Sequence, residues 1–303
     1  MKAKIILLLL GTVLVSSYGQ EKGFERVLEG FRFTEGPAFD AAGNLYFTDI
    51  PESKIYKYTP DGELSVYIEN TGGANGLFFD DDGNLLACAG GARQVVRYDA
   101  DGNKTVLLDA YEGKKLNSPN DLWIDADGGI YFTDPRYGNQ DNMELEGMHV
   151  YYFHPDKSKV VKVIDNMIRP NGIIGSHDGE KLYVVDAEVD ELFVFTIKRP
   201  GKLEDQTRLL YEGADGLSID DVGNIYVTAA NSILKYDPRG GMVQRYEMEV
   251  MPTNVVWHDD VLWVTTHTGE IWRKDLKCDP VLYSHSKIVD IKYSWNWFLT
   301  CSL

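Results

Sequence analysis

Six short stretches, each led by one polar residue at the start of an apolar run, constrain this chain more than anything else in it. They read Glu35-Gly-Pro-Ala-Phe-Asp, Asn75-Gly-Leu-Phe-Phe-Asp, Asn120-Asp-Leu-Trp-Ile-Asp, Asn171-Gly-Ile-Ile-Gly-Ser, Asp215-Gly-Leu-Ser-Ile-Asp and Asn254-Val-Val-Trp-His-Asp. Successive lead residues lie 40, 45, 51, 44 and 39 positions apart. A period of about 40 to 50 residues built from short strands is the mark of a β-propeller. The expected fold is therefore all-β, a six-bladed β-propeller. In such a ring one residue per blade faces the central channel from the innermost strand. All six lead residues carry oxygen donors, and none is a thiol or an imidazole. That chemistry suits a hard divalent cation, calcium first, with magnesium, manganese and zinc as the alternatives.

Within each repeat the spacing predicts four strands. A glycine follows the lead residue by eight positions in five repeats, at Gly43, Gly83, Gly128, Gly179 and Gly223, beside Asn or Asp. This is a turn in which positive φ is cheap. The sixth repeat has Asp259-Asp260 instead, which predicts a shorter turn. The second strands, expected at 45–48, 85–88, 130–133, 182–185, 225–228 and 262–265, are apolar nearly throughout, as strands covered on both faces must be. Residues 24–33 look like an outer strand that completes the last blade and hides an open sheet edge.

The 303 residues hold 47 acidic against 30 basic side chains, a formal charge of −17. Such a surface repels nucleic acid and anionic membrane. Lys2 and Lys4, an apolar run from Ile5 to Val15 and the small residues Ser16, Ser17 and Gly19 read as a signal peptide over residues 1–19, which implies export to the periplasm or medium and no membrane attachment after cleavage. The propeller then spans 20–283, and residues 284–303 form a tail with no repeat equivalent. Three cysteines do not make a disulfide scaffold. Cys88 reads as a core residue, and Cys278 and Cys301 could pair.

The lead residues have a bland reading as well as a functional one. Asn at a strand start often caps its own turn, and Asn75 and Asn254 are read first that way or as supporting side chains. For Glu35 and Asp215 that reading is weak: two carboxylates facing a narrow channel repel unless a cation lies between them. Asn120 and Asn171 would add neutral oxygens. Asp49, Asp134 and Asp186, at the ends of their second strands, read as turn caps rather than ligands. The loops 111–119 and 134–148 flank the same channel mouth and are candidate binding segments. There is no Gly-x-Ser-x-Gly elbow, and the six histidines show no zinc-ligand spacing. His149 and His267 read as structural.

The blocks Phe33-Thr-Glu-Gly-Pro37, Ser118-Pro-Asn-Asp-Leu122, Arg169-Pro-Asn-Gly-Ile173 and Ala214-Asp-Gly-Leu217 resemble the gluconolactonase and senescence-marker-protein (regucalcin) family. Leu45-Tyr-Phe-Thr-Asp49 and Ile130-Tyr-Phe-Thr-Asp-Pro-Arg-Tyr-Gly138 are similar to its bacterial members. The resemblance runs from about 24 to 276. It implies a six-bladed propeller with one divalent metal in the channel, hydrolysis of a sugar-acid or related small-molecule lactone or ester, and Glu35, Asn171 and Asp215 as metal ligands. Asn120 matches a position that binds metal in some members and substrate in others. Asp215 would act on the lactone as base or nucleophile. Animal members carry Arg two residues before that Asn. Here Ser118 stands there, so Ser118, Arg136, Tyr137 and Asn75 are the candidate substrate contacts. Competing readings are an organophosphate or aryl-ester hydrolase on the same site, and a non-enzymatic binding propeller.

Overall fold

The computed structural model describes residues 23–156, 158–210, 212–213 and 215–277. The signal-peptide reading, the tail from 284 onward and the Cys278–Cys301 pairing lie outside these residues. Six four-stranded antiparallel sheets form the blades of a propeller, and no helix occurs among the described residues. Five blades run in chain order from the innermost strand outward. The sixth is made of Pro252–His258, Val261–Thr266 and Glu270–Asp275, closed by the N-terminal strand Glu25–Glu29. The closing strand lies antiparallel to Glu270–Asp275, with Glu25 opposite Arg273 and Leu28 opposite Ile271. Pairing first with last strand leaves no blade open at the seam.

The second strands are the scaffold's centre. Leu45–Asp49, Leu85–Ala89, Ile130–Asp134 and Ile225–Ala229 are buried at every position. Their apolar residues feed six clusters, each drawn from two neighbouring blades. One unites Tyr183, Val185 and Leu192 with Leu217, Ile225 and Val227, and another joins Leu45 and Phe47 to Ile271 across the seam. Burial of this apolar area between blades, rather than within them, drives the ring shut. Cys88 is fully buried in one such cluster, as a small core residue.

The predicted glycine turns are present. Gly43, Gly83, Gly128, Gly179 and Gly223 have φ between 70° and 86°. In blade 1 the Asp40 carboxylate accepts from the N–H groups of Ala42 and Asn44, and the Asn44 amide returns to it at 2.7 Å. The sixth repeat turns in two residues, Asp259 and Asp260, both at positive φ, between paired His258 and Val261.

The innermost strands depart from expectation. The sequence predicts that each begins at its lead residue. They begin at Thr34, Ala74, Leu122, Pro170, Leu217 and Pro252. In blades 1, 2 and 4 the register slips just past the lead residue, between Glu35 and Ala38, Ala74 and Leu77, and Pro170 and Ile173. The cause is a set of bonds between blades. The N–H of Gly76 donates to the Asn120 carbonyl at 2.8 Å, Gly172 to Asp215 at 3.2 Å, and Gly216 to Thr253 at 3.0 Å. Hydroxyls of Thr48 and Thr253 donate to the carbonyls of Asn75 and Thr34. Main-chain groups near the lead residues thus pair with the next blade instead of their own sheet. Glycine permits the approach: a Cβ at Gly172 would sit 2.4 Å from the Asp215 carbonyl, and one at Gly36 2.1 Å from that of Asn75.

Candidate functional site

At one end of the channel a cavity of about 970 Å³ opens to solvent. Five lead residues line it: Glu35, Asn75, Asn120, Asn171 and Asp215. Asn254 does not. It lines a smaller cavity at the other end, beside Asp121.

Glu35 is buried, and both hydrogen bonds it receives fall on Oε2, from the Gly36 N–H at 2.8 Å and the Asn254 amide at 3.1 Å. Burial pushes its carboxyl up to about 7. These two donors oppose the rise, and the Asp121 carboxylate adds to it. Asp215 is held well above the ordinary carboxylate range by burial first and by the Glu35 charge second, with a hydrogen bond from Asn171 opposing. The charge of Glu35 is thus felt at Asp215, and both acids reach one cavity, from blades 1 and 5 with only blade 6 between them. The Asn171 amide nitrogen also donates to the Tyr137 hydroxyl at 2.6 Å, so Oδ1 is the acceptor left on that side chain. Tyr137 arrives from the 134–148 loop and is steadied by the Arg169 guanidinium 5.1 Å from its ring centre. Burial and the Asp215 charge raise its phenol, which stays protonated and can donate.

The residue set fits a hard cation. A buried and a half-buried carboxylate share a floor with the amides of Asn120 and Asn171, and burial, with the Glu35 charge added at Asp215, pushes the acids toward protonation, the strain a divalent charge would relieve. Among the described residues no group of three or more His, Cys, Asp or Glu is placed to hold a metal. An ion held on this floor would meet two carboxylates and two amides.

Three arms of the site are held from behind by one device. The carboxylates of Asp49, Asp134 and Asp186 each accept from two successive main-chain N–H groups: Arg32 and Phe33, Asn117 and Ser118, Ile168 and Arg169, at 2.8–3.3 Å. Each pair ends two residues before a lead residue, so the carboxylate fixes the entry of Glu35, Asn120 or Asn171. These three aspartates are caps, as their positions suggested.

Of the candidate substrate contacts, Ser118, Tyr137, Asn75 and Asn120 line the cavity and Arg136 does not. The Arg136 guanidinium is spent on its own surroundings, donating to the carbonyls of Asn117 and Asn139 and to Asn142 Oδ1. It braces the long loop against the 111–119 arm. Ser118 commits its hydroxyl proton to the Gly90 carbonyl. His149 and His267 are absent from the lining, and His267 packs edge-on against Phe33.

Asp121 went unnoticed in the sequence. It stands where four of the other repeats have glycine, and its carboxylate takes over the link to blade 4 by accepting from the Ile173 N–H at 3.4 Å. Burial raises it to about 7. The signal was available, since among the residues that follow the six leads only this one is charged. Asn254 joins it to Glu35. Its Oδ1 caps the Val255 N–H, and its amide nitrogen serves the Glu35 carboxylate.

Comparison with known proteins agrees with this architecture. Residues 33–268 match the description of the SMP-30/Gluconolactonase/LRE-like region. The chain is 30% identical over 249 residues to a gluconolactonase of Zymomonas mobilis, covering 71% of this chain and 70% of that one. It is 28% identical over 220 residues to lactonase drp35 of Staphylococcus aureus, covering 68% and 67%. A solved gluconolactonase from Xanthomonas campestris superposes with a TM-score of 0.77 at 29% identity, over 82% of this chain and 88% of that one. A calcium-binding regucalcin from Agrobacterium tumefaciens gives 0.71 at 22% identity, over 84% and 94%, a likeness of fold. The chain belongs to the SMP-30/gluconolactonase/LRE-like family.

Proposed function

We propose that the protein is a metal-dependent lactone hydrolase. The observation that carries this reading is the meeting of Glu35 and Asp215, with the amides of Asn120 and Asn171, on the floor of one open cavity. Relatives described as gluconolactonase and lactonase support the reaction class. Glu35, Asn120, Asn171 and Asp215 would hold the ion, with calcium favoured by the all-oxygen donor set. When bound, the cation supplies Lewis-acid polarisation of the ester carbonyl and offsets the charge that develops on its oxygen.

The chain's own residues do the rest. Asp215 takes the proton of an attacking water and returns it to the ring oxygen as the acyl C–O bond breaks, or it adds to the acyl carbon itself, the ring oxygen leaving with a proton from Tyr137 or solvent and water then cleaving the mixed anhydride. Its neighbour Asn171 orients it by hydrogen bonding. The Tyr137 hydroxyl, fixed by Asn171, offers its proton toward the substrate oxygens. A cation tempers the basicity of Asp215, and a lactone, as an activated ester, tolerates the weaker base.

Asp215→Asn is expected to cut kcat by about a hundredfold or more with the fold intact. Activity within about threefold of wild type removes Asp215 from both roles. Single turnover in oxygen-18 water separates them: label in the first product indicates the base, label deferred to later turnovers the nucleophile. Chelation is expected to abolish the same activity, and added calcium to restore it.

A further inference from the structure

The walls above that floor identify the kind of lactone. Resting on the hydrolase reading, we infer that the substrate is a neutral lactone with a sizeable apolar substituent, rather than a polyhydroxylated sugar lactone. Phe33, Ile50 and Pro51 of blade 1 and Met251 and Pro252 of blade 6, two neighbouring blades, give the cavity an apolar side. This side is braced rather than loose. Ile50 donates its N–H to the Phe33 carbonyl, Phe33 donates its own to Asp49 Oδ1, and the Phe33 ring rests edge-on against His267 at 5.1 Å. Met251, 49% exposed at the mouth, adds an adaptable apolar lip.

The charged groups lie on the other side and do not invite an anion. Asp190, Glu212 and Arg245 line the cavity from blades 4 and 5. Arg245 is occupied, one nitrogen donating to Ser232 Oγ at 2.9 Å and another to Glu212. Arg169 pairs with Glu188 at 2.7 Å behind Tyr137. The unspent charge facing a ligand is therefore carboxylate, which repels an acidic substrate.

A sugar lactone brings several hydroxyls that need partners. Partners for them exist in the lining, the Asn75 amide and the Asp190 and Glu212 carboxylates, but none belongs to the side made by Phe33, Ile50, Pro51, Met251 and Pro252; Ser118 gives its proton to Gly90, and Tyr137 serves the ester end. Each hydroxyl set against Phe33, Ile50 or Met251 without a partner costs about tenfold in binding. An alkyl or aryl substituent gains there, by about fourfold per buried methylene. A cavity of about 970 Å³ is ample for such a group beside the ring.

The test is a series of γ-lactones with lengthening alkyl chains, γ-butyrolactone to γ-decanolactone, assayed beside glucono-δ-lactone with the calcium-loaded protein. The expected result is a kcat/KM that rises about fourfold per methylene over the first members, with the long-chain lactones at least a hundredfold above glucono-δ-lactone. Ile50→Asn and Met251→Ser, the latter at a half-exposed position, are expected to flatten the rise. A flat series, glucono-δ-lactone at or above the alkyl lactones, or a slope untouched in both folded variants overturns this inference and leaves the hydrolase reading standing. Hydrolysis of no lactone by the calcium-loaded protein overturns both.

Discussion

Asp186 shows how a residue remote from chemistry governs a site. Its carboxylate receives the N–H groups of Ile168, Arg169 and Glu188, the first two on the segment that delivers Asn171. Asp186→Ala strands these donors in a buried place. At about 1–3 kcal/mol for each unsatisfied group, offset by local relaxation, the expected loss is about 2–4 kcal/mol, a fall in Tm of about 5–10 °C. Calcium affinity, read by calorimetry, is expected to weaken with it, because the Asn171 arm loses its anchor. Unchanged affinity in a folded variant would confine Asp186 to a purely structural part. The capping role of these aspartates is legible in the sequence, since each closes an apolar strand beside a loop. The fate of Arg136 is not: whether a guanidinium faces a cavity or braces its own loop depends on where Asn117, Asn139 and Asn142 fall in space.

At the scale of the element, the second strands were readable almost to the residue. Leu45–Asp49, Leu85–Ala89 and Ile130–Asp134 begin at the predicted positions, because a tight turn on one side and an unbroken apolar run on the other fix them. The innermost strands were misplaced because their main chain is claimed by the adjacent blade, a long-range bond that no local pattern encodes. The closing strand Glu25–Glu29 was legible from the logic of a ring that needs a latch. Its removal by truncation to residue 31 is expected to bare the edge of Glu270–Asp275 and expose Leu28's place against Ile271. The truncated protein should melt at least about 10 °C lower and form larger species on size exclusion. A monomer of unchanged Tm would show that the seam contributes nothing.

For the whole molecule, the gathering of acids at the centre sets its response to pH. Glu35 and Asp121 sit at about 7 in the folded, metal-free chain, against ordinary values of 4.5 and 3.8. Between those ordinary values and about 7 the folded state keeps protons that the unfolded state has released. Stability of the metal-free protein is therefore expected to fall as pH rises through that window. A cation reverses the preference by favouring ionised Glu35 and Asp215, so calcium binding releases protons and tightens toward pH 8. Thermal melts from pH 5 to 8, with calcium and with chelator, check both signs. A chelated protein that grows more stable from pH 5 to 7.5 contradicts the assignment. The ring of glycines and main-chain bonds beneath the cavity has one more implication. At Gly36, Gly76, Gly172 and Gly216 an added Cβ would strike the next blade, so those four positions resist substitution. The enclosing surfaces come from separate loops, each owned by a different blade, and can be revised one at a time. Selection is free to alter what the protein accepts without disturbing what it does.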